Sequence, residues 1–261
     1  MILLVDIGNT TIAIAAMKKG KIQKAGRIET KKNKKISFYK KAFGDYFRKN
    51  KINKTEIDLV LFCSVVPSLN SNFKKTLKNL LSAKVLEAGK DIKFTVKNRY
   101  RNPSEVGADR LSNAVAASYY YSNKDVIIVD FGTAITFDIV NKKGEYLGGL
   151  IIPGLSTSLK SLSKEAELLP EISLKKASGL IGKDTITSIN NGIVYATAFA
   201  CDGIIKRLKK KLSPNTIVLA TGGYADLIKK YTSLIHKIDP NLTLKGLYVN
   251  YSKRGKETKK Q

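Results

Sequence analysis

The sequence predicts an α/β protein built as two similar halves, and three observations carry that expectation. Val5-Asp6-Ile7-Gly8-Asn9-Thr10 is echoed by Val129-Asp130-Phe131-Gly132-Thr133, and Lys18-Lys19-Gly20 returns at the same offset as Lys142-Lys143-Gly144. Each copy ends an almost continuous apolar run, the mark of a strand buried on both faces. The order of elements also restarts: a three-strand meander leads into helices and further strands, twice. That is the pattern of two sheets flanked by helices.

Taken in order, residues 2–6 form the first strand, and 10–17 and 22–28 complete a meander about the Lys-Lys-Gly turn. Helical spacing covers 37–47 and 67–81, with a strong buried strand at 57–66 between them and a short one at 83–86. Pro103 begins a turn into a helix over 108–121. Strands at 125–130, 134–140 and 146–152 repeat the meander. A helix then runs from 155 to about 168, and 170–183 lacks a period and reads as a loop. Residues 185–212 carry a long helical pattern containing Gly192 and Gly203. Ser213-Pro214-Asn215 breaks it ahead of a strand at 216–220, the turn Thr221-Gly222-Gly223 and a helix to about 231. Residues 242–251 fit a last strand or a helix. We therefore expect one lobe over 1–118 and a second over 119–261, with a basic tail disordered from about 252.

Composition excludes several classes. With 261 residues and 43% hydrophobic content the chain is long enough for two cores. No apolar run approaches the ~20 residues of a membrane helix. The apolar opening has no basic stretch before it and is interrupted by Asp6, so it reads as a strand, not a signal peptide. Cys63 and Cys201 lie far apart in apolar surroundings, as buried free thiols of a reducing, cytoplasmic compartment, and form no Cys-x-x-Cys for zinc. His236 is the sole histidine, expected on the surface near a strand end; a multi-histidine metal site is excluded. Lys and Arg number 47 against 21 Asp and Glu, a net charge of +26. Such a charge attracts polyanions and steers anionic ligands. Without a helix-turn-helix, finger or aromatic RNA-binding pattern it does not predict specific nucleic-acid reading.

Chemistry concentrates at the turns. In Asp6-Ile7-Gly8-Asn9-Thr10-Thr11 the glycine lets backbone approach an anion, and N–H groups and hydroxyls can hold phosphate oxygens. Asp6 offers the hard oxygen that magnesium prefers. A tight hairpin would explain one copy; recurrence at Asp130-Phe131-Gly132-Thr133 favours ligand binding. Thr221-Gly222-Gly223 could meet a nucleotide at a helix start. Gly107-Ala108-Asp109-Arg110, after Tyr100-Arg101-Asn102-Pro103, sets a carboxylate beside a guanidinium: Arg110 could hold a substrate carboxylate, and Asp109 could take a hydroxyl proton. Gly179–Asp184 is two residues short of a P-loop spacing, and Asp184 replaces its Ser/Thr.

Together these motifs, with Gly148-Gly149-x-Ile151-x-Pro153-Gly154 and Gly182-Lys183-Asp184-Thr185, resemble in order those of type III pantothenate kinases, over nearly the whole chain. The resemblance implies two ribonuclease-H-like (actin-like ATPase) lobes with a cleft between them. It implies ATP-dependent phosphorylation of pantothenate to 4′-phosphopantothenate, the first step of coenzyme A synthesis. It implies that Asp6, Ile7, Gly8, Asn9, Thr10 and Thr11 hold ATP phosphates and Mg²⁺, Asp6 on the metal, and that Asp109 is the proton acceptor. Tyr100, Gly107, Ala108, Arg110 and Thr185 would bind pantothenate, Thr133 would contact ATP, and Asp130 would hold K⁺ or NH₄⁺. It further implies a cytoplasmic homodimer. The charge is more positive than the family leads one to expect. Two rivals remain at this stage: a kinase of the same fold acting on a sugar or a carboxylate, and a non-catalytic, nucleic-acid-associated accessory protein.

Overall fold

The computed structural model describes residues 1–31, 33–34 and 36–257, leaving aside the side chains of Ile36 and of 254–257. It divides into two compact units, Met1–Tyr120 with Asn241–Gln261, and Tyr121–Pro240.

In the first unit, β1 (Ile2–Ile7), β2 (Thr11–Lys18) and β3 (Lys21–Glu29) form the meander. Then come α1 (Ile36–Lys49), β4 (Leu59–Ser64), α2 (Pro67–Leu80), β5 (Lys84–Glu87), the two-residue β6 (Lys97–Asn98) and α3 (Ala108–Tyr120). Short 3₁₀ turns at Lys54–Glu56 and Pro103–Glu105 precede β4 and α3. The sheet order is β3-β2-β1-β4-β5, with β4 parallel to β1 and β2 antiparallel to it. Because side chains alternate across a strand, Leu3, Val5 and Ile7 of β1 and Val60 and Phe62 of β4 point to one face. There they meet the aromatic residues of α1 and α2, with Phe43 and Phe73 edge to face at 5.2 Å. Leu4 of β1 and Leu59, Leu61 and Cys63 of β4 point to the opposite face.

That opposite face is covered by a segment from the far end of the chain. Helix α7 (Leu242–Glu257) lays Leu244 and Leu247 onto it and packs along α3. The contact is close because both helices present small groups: Gly246 lies against the Ser112 backbone, and α3 buries Ala114, Ala116 and Ala117. Thr243 Oγ1 donates to Asn113 Oδ1 at 2.9 Å across the same seam. The final segment, expected in the second lobe, thus belongs to the first unit, and the break expected at 118–119 lies at 120–121. The tail expected to be disordered from about 252 is helical as far as Glu257; residues 258–261 lie outside the described residues.

The second unit repeats the plan. β7 (Val126–Phe131), β8 (Ala134–Val140) and β9 (Glu145–Pro153) form its meander. They are followed by α4 (Leu155–Glu165), α5 (Thr185–Lys209), β10 (Ile217–Thr221), α6 (Ala225–Ile228) with a 3₁₀ turn to Tyr231, and β11 (Lys237–Ile238). Within this unit the order β9-β8-β7-β10-β11 reproduces β3-β2-β1-β4-β5, and β10 is again parallel to the first strand of its meander. Ile127, Val129 and Phe131 pack with Leu155 and Leu159 of α4 and Val194, Ala198 and Cys201 of α5.

The repeated Lys-Lys-Gly does not give identical turns. Lys19 and Gly20 both have positive φ (49° and 75°), making the two-residue hairpin turn whose twist suits right-twisted strands. In the second copy Gly144 keeps φ 75°, but Asn141 closes a longer loop by donating from its N–H to Glu145 O at 2.9 Å. Both cysteines are buried free thiols, as expected. His236 is exposed just ahead of β11, and its Nδ1 accepts from Val218 N at 2.8 Å. Partial burial, then Lys209 and Lys229, hold its pKa below the usual histidine value, in the same sense as a ring nitrogen that accepts a hydrogen bond.

Candidate active site

The first candidate turn follows β1. Gly8 N donates to Thr11 O at 3.0 Å, Thr30 Oγ1 donates to Gly8 O at 2.8 Å, and Thr30 N donates to Thr10 O at 2.9 Å. A Cβ on Gly8 would sit 2.9 Å from Thr11 O, so only glycine closes this turn without displacing its neighbour. Asn9 and Thr10 are exposed at its tip, and Thr11 is half-buried at the start of β2. Ile7 is part of the apolar core, and its carbonyl accepts from Val65 N at 3.0 Å.

Asp6 is half-buried in β1 one residue before the strand ends, in register with Cys63 on β4. The Cys63 thiol donates to Asp6 Oδ1 at 3.3 Å. Burial, then the negative charges of Asp6 and Asp109, push that thiol well above its usual pKa. One sulfur therefore senses both carboxylates. Asp109 comes from the first turn of α3, where its Oδ1 accepts from Arg110 N at 2.7 Å. That oxygen fills the space a side chain at Gly107 would need: a Cβ there would be 2.5 Å from it. Arg110 is only 8% exposed, and Ala108 packs against the core beneath α7. Tyr100 is half-buried, with its N–H donating to Asn98 Oδ1 at 2.9 Å.

The second turn follows β7. It is shorter by one residue: Ile7 pairs with Ile12, whereas Phe131 pairs with Ile135. Gly132 N donates to Ala134 O at 3.2 Å. Thr133 is exposed, and its carbonyl accepts from Gly154 N at 3.1 Å and Thr157 Oγ1 at 2.6 Å. Asp130 lies beside Thr221 of β10, as Asp6 lies beside Cys63. Thr221-Gly222-Gly223 packs directly on it: with φ 91°, Gly222 would place a Cβ 2.5 Å from Asp130 Oδ1 and 2.6 Å from Phe131 N. Gly222→Ala is accordingly expected to cost about 2–4 kcal/mol from left-handed backbone strain and overpacking. A thermal melt of that variant unchanged from the parent would contradict this packing. Thr185 is the exposed first residue of α5, behind the N-cap Asp184, whose Oδ1 accepts from Thr187 N at 2.8 Å.

The order and content of these motifs can be set against known proteins. The family model for type III pantothenate kinases matches residues 2–207. The chain belongs to the type III pantothenate kinases. A type III pantothenate kinase of Citrifermentans bemidjiense is 38% identical over 253 residues, covering 97% of this chain and 99% of that one. Among solved structures, a conserved Campylobacter jejuni protein proposed to be a Baf family transcriptional activator is 20% identical with a TM-score of 0.59, over 97% of this chain and 99% of that one. A polyphosphate/ATP-glucomannokinase from Arthrobacter sp. strain KM is 15% identical with a TM-score of 0.51, over 97% and 98%. These two likenesses show the fold alone.

The kinase phosphorylates pantothenate with ATP, on the path to coenzyme A. Its residues fit a magnesium ion carried by the nucleotide. Among the described residues no group of three His, Cys, Asp or Glu side chains converges into a protein cage. Magnesium is usually held instead by one or two carboxylates, phosphate oxygens and waters, and Asp6 beside an open glycine turn matches that need. Two features of the site escaped sequence reasoning. Cys63 reads as a plain buried thiol, because its place against Asp6 is set by the β1–β4 register. Thr30, which pins the Gly8 turn, lies at the end of a strand with no motif around it.

Proposed function

We propose that Asp109 is the proton acceptor of the kinase and that the Asp6–Thr11 turn holds the ATP phosphates with Mg²⁺ at Asp6. The observation that carries this reading is the placement of Asp6 at the end of β1, bonded to Cys63 of β4, close to the start of α3, where Ala108 packs in the Cys63 cluster and Asp109 follows it. Phosphoryl transfer depends mainly on positioning and on charge neutralisation. Asp109 takes the proton of pantothenate's primary hydroxyl as that oxygen attacks the γ-phosphorus, and the bond from the γ-phosphorus to the β–γ bridging oxygen breaks to release ADP. The Arg110 guanidinium anchors the pantothenate carboxylate, with Tyr100, Gly107, Ala108 and Thr185 around the rest of the substrate. Magnesium, when bound, neutralises phosphate charge. The Gly8, Asn9, Thr10 and Thr11 backbone and hydroxyls orient the phosphates, and Ile7 sets the strand end from which they project.

Thr133 contacts ATP in this reading, and Asp130 holds a monovalent cation, K⁺ or NH₄⁺. A carboxylate offers such an ion a hard oxygen ligand. Replacing K⁺ and NH₄⁺ with Na⁺ is expected to lower kcat several-fold. Equal rates in all three salts would remove Asp130 from that role.

The kinase works as a cytoplasmic homodimer in this reading. Among the described residues no helix is long and apolar enough to cross a membrane. The second unit exposes Leu150, Ile151, Leu180, Ile181, Ile186 and Phe199, side chains that pairing of subunits could cover. The substrate assignment is tested by an ATP-consumption assay over acceptors: pantothenate should be turned over, and hexoses and short carboxylates should not.

A further inference from the structure

We infer that Cys63 is a positioning residue for Asp6, its S–H holding the carboxylate in the orientation the phosphate turn requires. The inference rests on the assignment of Asp6 to magnesium and the nucleotide. Three independent features of the fold lead to it. First, the parallel β1–β4 register places Asp6 and Cys63 side by side, and the thiol donates to Asp6 Oδ1 at 3.3 Å. Second, Cys63 is fully buried on the sheet face that α7 covers, in one apolar cluster with Leu244 and Leu247 of α7 and with Ala108 at the start of α3. The thiol thus has no water to donate to, and its bond to Asp6 ties β4 to β1 near the start of the helix that carries Asp109. Third, the internal repeat places a buried polar side chain at the same register in its second copy, where Thr221 adjoins Asp130.

A purely structural residue at this position would need only volume. A positioning residue needs the donor, because a thiol is a weak donor but its acceptor here is a carboxylate. Holding one carboxylate oxygen reduces the orientations of Asp6 that must be lost when Mg-nucleotide binds.

The test compares Cys63→Ser, which keeps an O–H donor, with Cys63→Ala, which removes it. Cys63→Val, which fills volume without a donor, takes the place of alanine if that variant does not fold. The readouts are the melting temperature, KM for Mg-ATP against kcat, and ADP affinity by calorimetry with and without Mg²⁺. Loss of the donor is expected to weaken the Mg²⁺-dependent part of ADP affinity, and to raise KM for Mg-ATP, by roughly fivefold. Cys63→Ser should stay within about twofold of the parent, and ADP affinity without Mg²⁺ should not move. Parent-like Mg²⁺ dependence in the donorless variant, or equal losses in the serine and donorless variants, would overturn the inference. Asp6→Asn separates the two levels. If it leaves Mg²⁺-dependent affinity unchanged, the Asp6 assignment fails. If it abolishes that affinity while the donorless Cys63 variant does not weaken it, the role of Cys63 alone fails.

Discussion

Asp109→Asn should leave the melting temperature and ADP affinity of the kinase unchanged and lower kcat by about 10²–10⁴-fold, the usual contribution of a positioned general base. The local structure supports so clean a separation. Asp109 Oδ1 accepts from Arg110 N at 2.7 Å, and an asparagine Oδ1 accepts the same bond. The two side chains have nearly the same shape, so the tight fit over Gly107 survives the change. What asparagine lacks is a site that takes a proton. The loss should fall on kcat, with KM for pantothenate moving much less, because the amide still accepts the substrate hydroxyl's hydrogen bond. A variant keeping more than a tenth of parental kcat would transfer the base role elsewhere.

Gly246→Ala is expected to be the most damaging single methyl in the first unit. An alanine Cβ there would lie 1.8 Å from Ser112 O and 2.5 Å from Ser112 C, both backbone atoms of α3. Neither can turn aside as a side chain could, so α7 must move away from α3 as a body. That motion would loosen the Thr243–Asn113 bond and lift Leu244 and Leu247 from the sheet. Overpacking typically costs ~1–3 kcal/mol, and this contact should reach the upper end or exceed it. The effect should not stop at stability, because α3 carries Asp109 in its first turn. We expect a lower melting temperature together with reduced kcat. Wild-type behaviour in both would mean that α7 does not pack as closely as its glycine implies.

The parts of the molecule that were legible in the sequence are those whose causes are local. The apolar runs of β1 and β7, the glycine turns behind them and the restart of the meander all lie within short windows, and the structure places them within a few residues of expectation. Local signal fails where distant contacts decide. Residues 242–251 fit a strand or a helix equally, and helix is selected because Gly246 meets Ser112 far back along the chain. β6 and β11 have two residues each, too few to leave a periodic trace. In the site, each Asp-x-Gly was visible, but the neighbour of each aspartate was not. Cys63 and Thr221 reach Asp6 and Asp130 only through strand register.

The most direct measurement is product analysis by mass spectrometry after incubation with pantothenate, Mg-ATP and K⁺, for the parent and for Asp109→Asn side by side. The parent should yield 4′-phosphopantothenate in one-to-one proportion with ADP, and the variant almost none at the same bound nucleotide. Phosphopantothenate formed equally by both proteins would contradict the role given to Asp109, and ADP released by the parent without it would contradict the substrate.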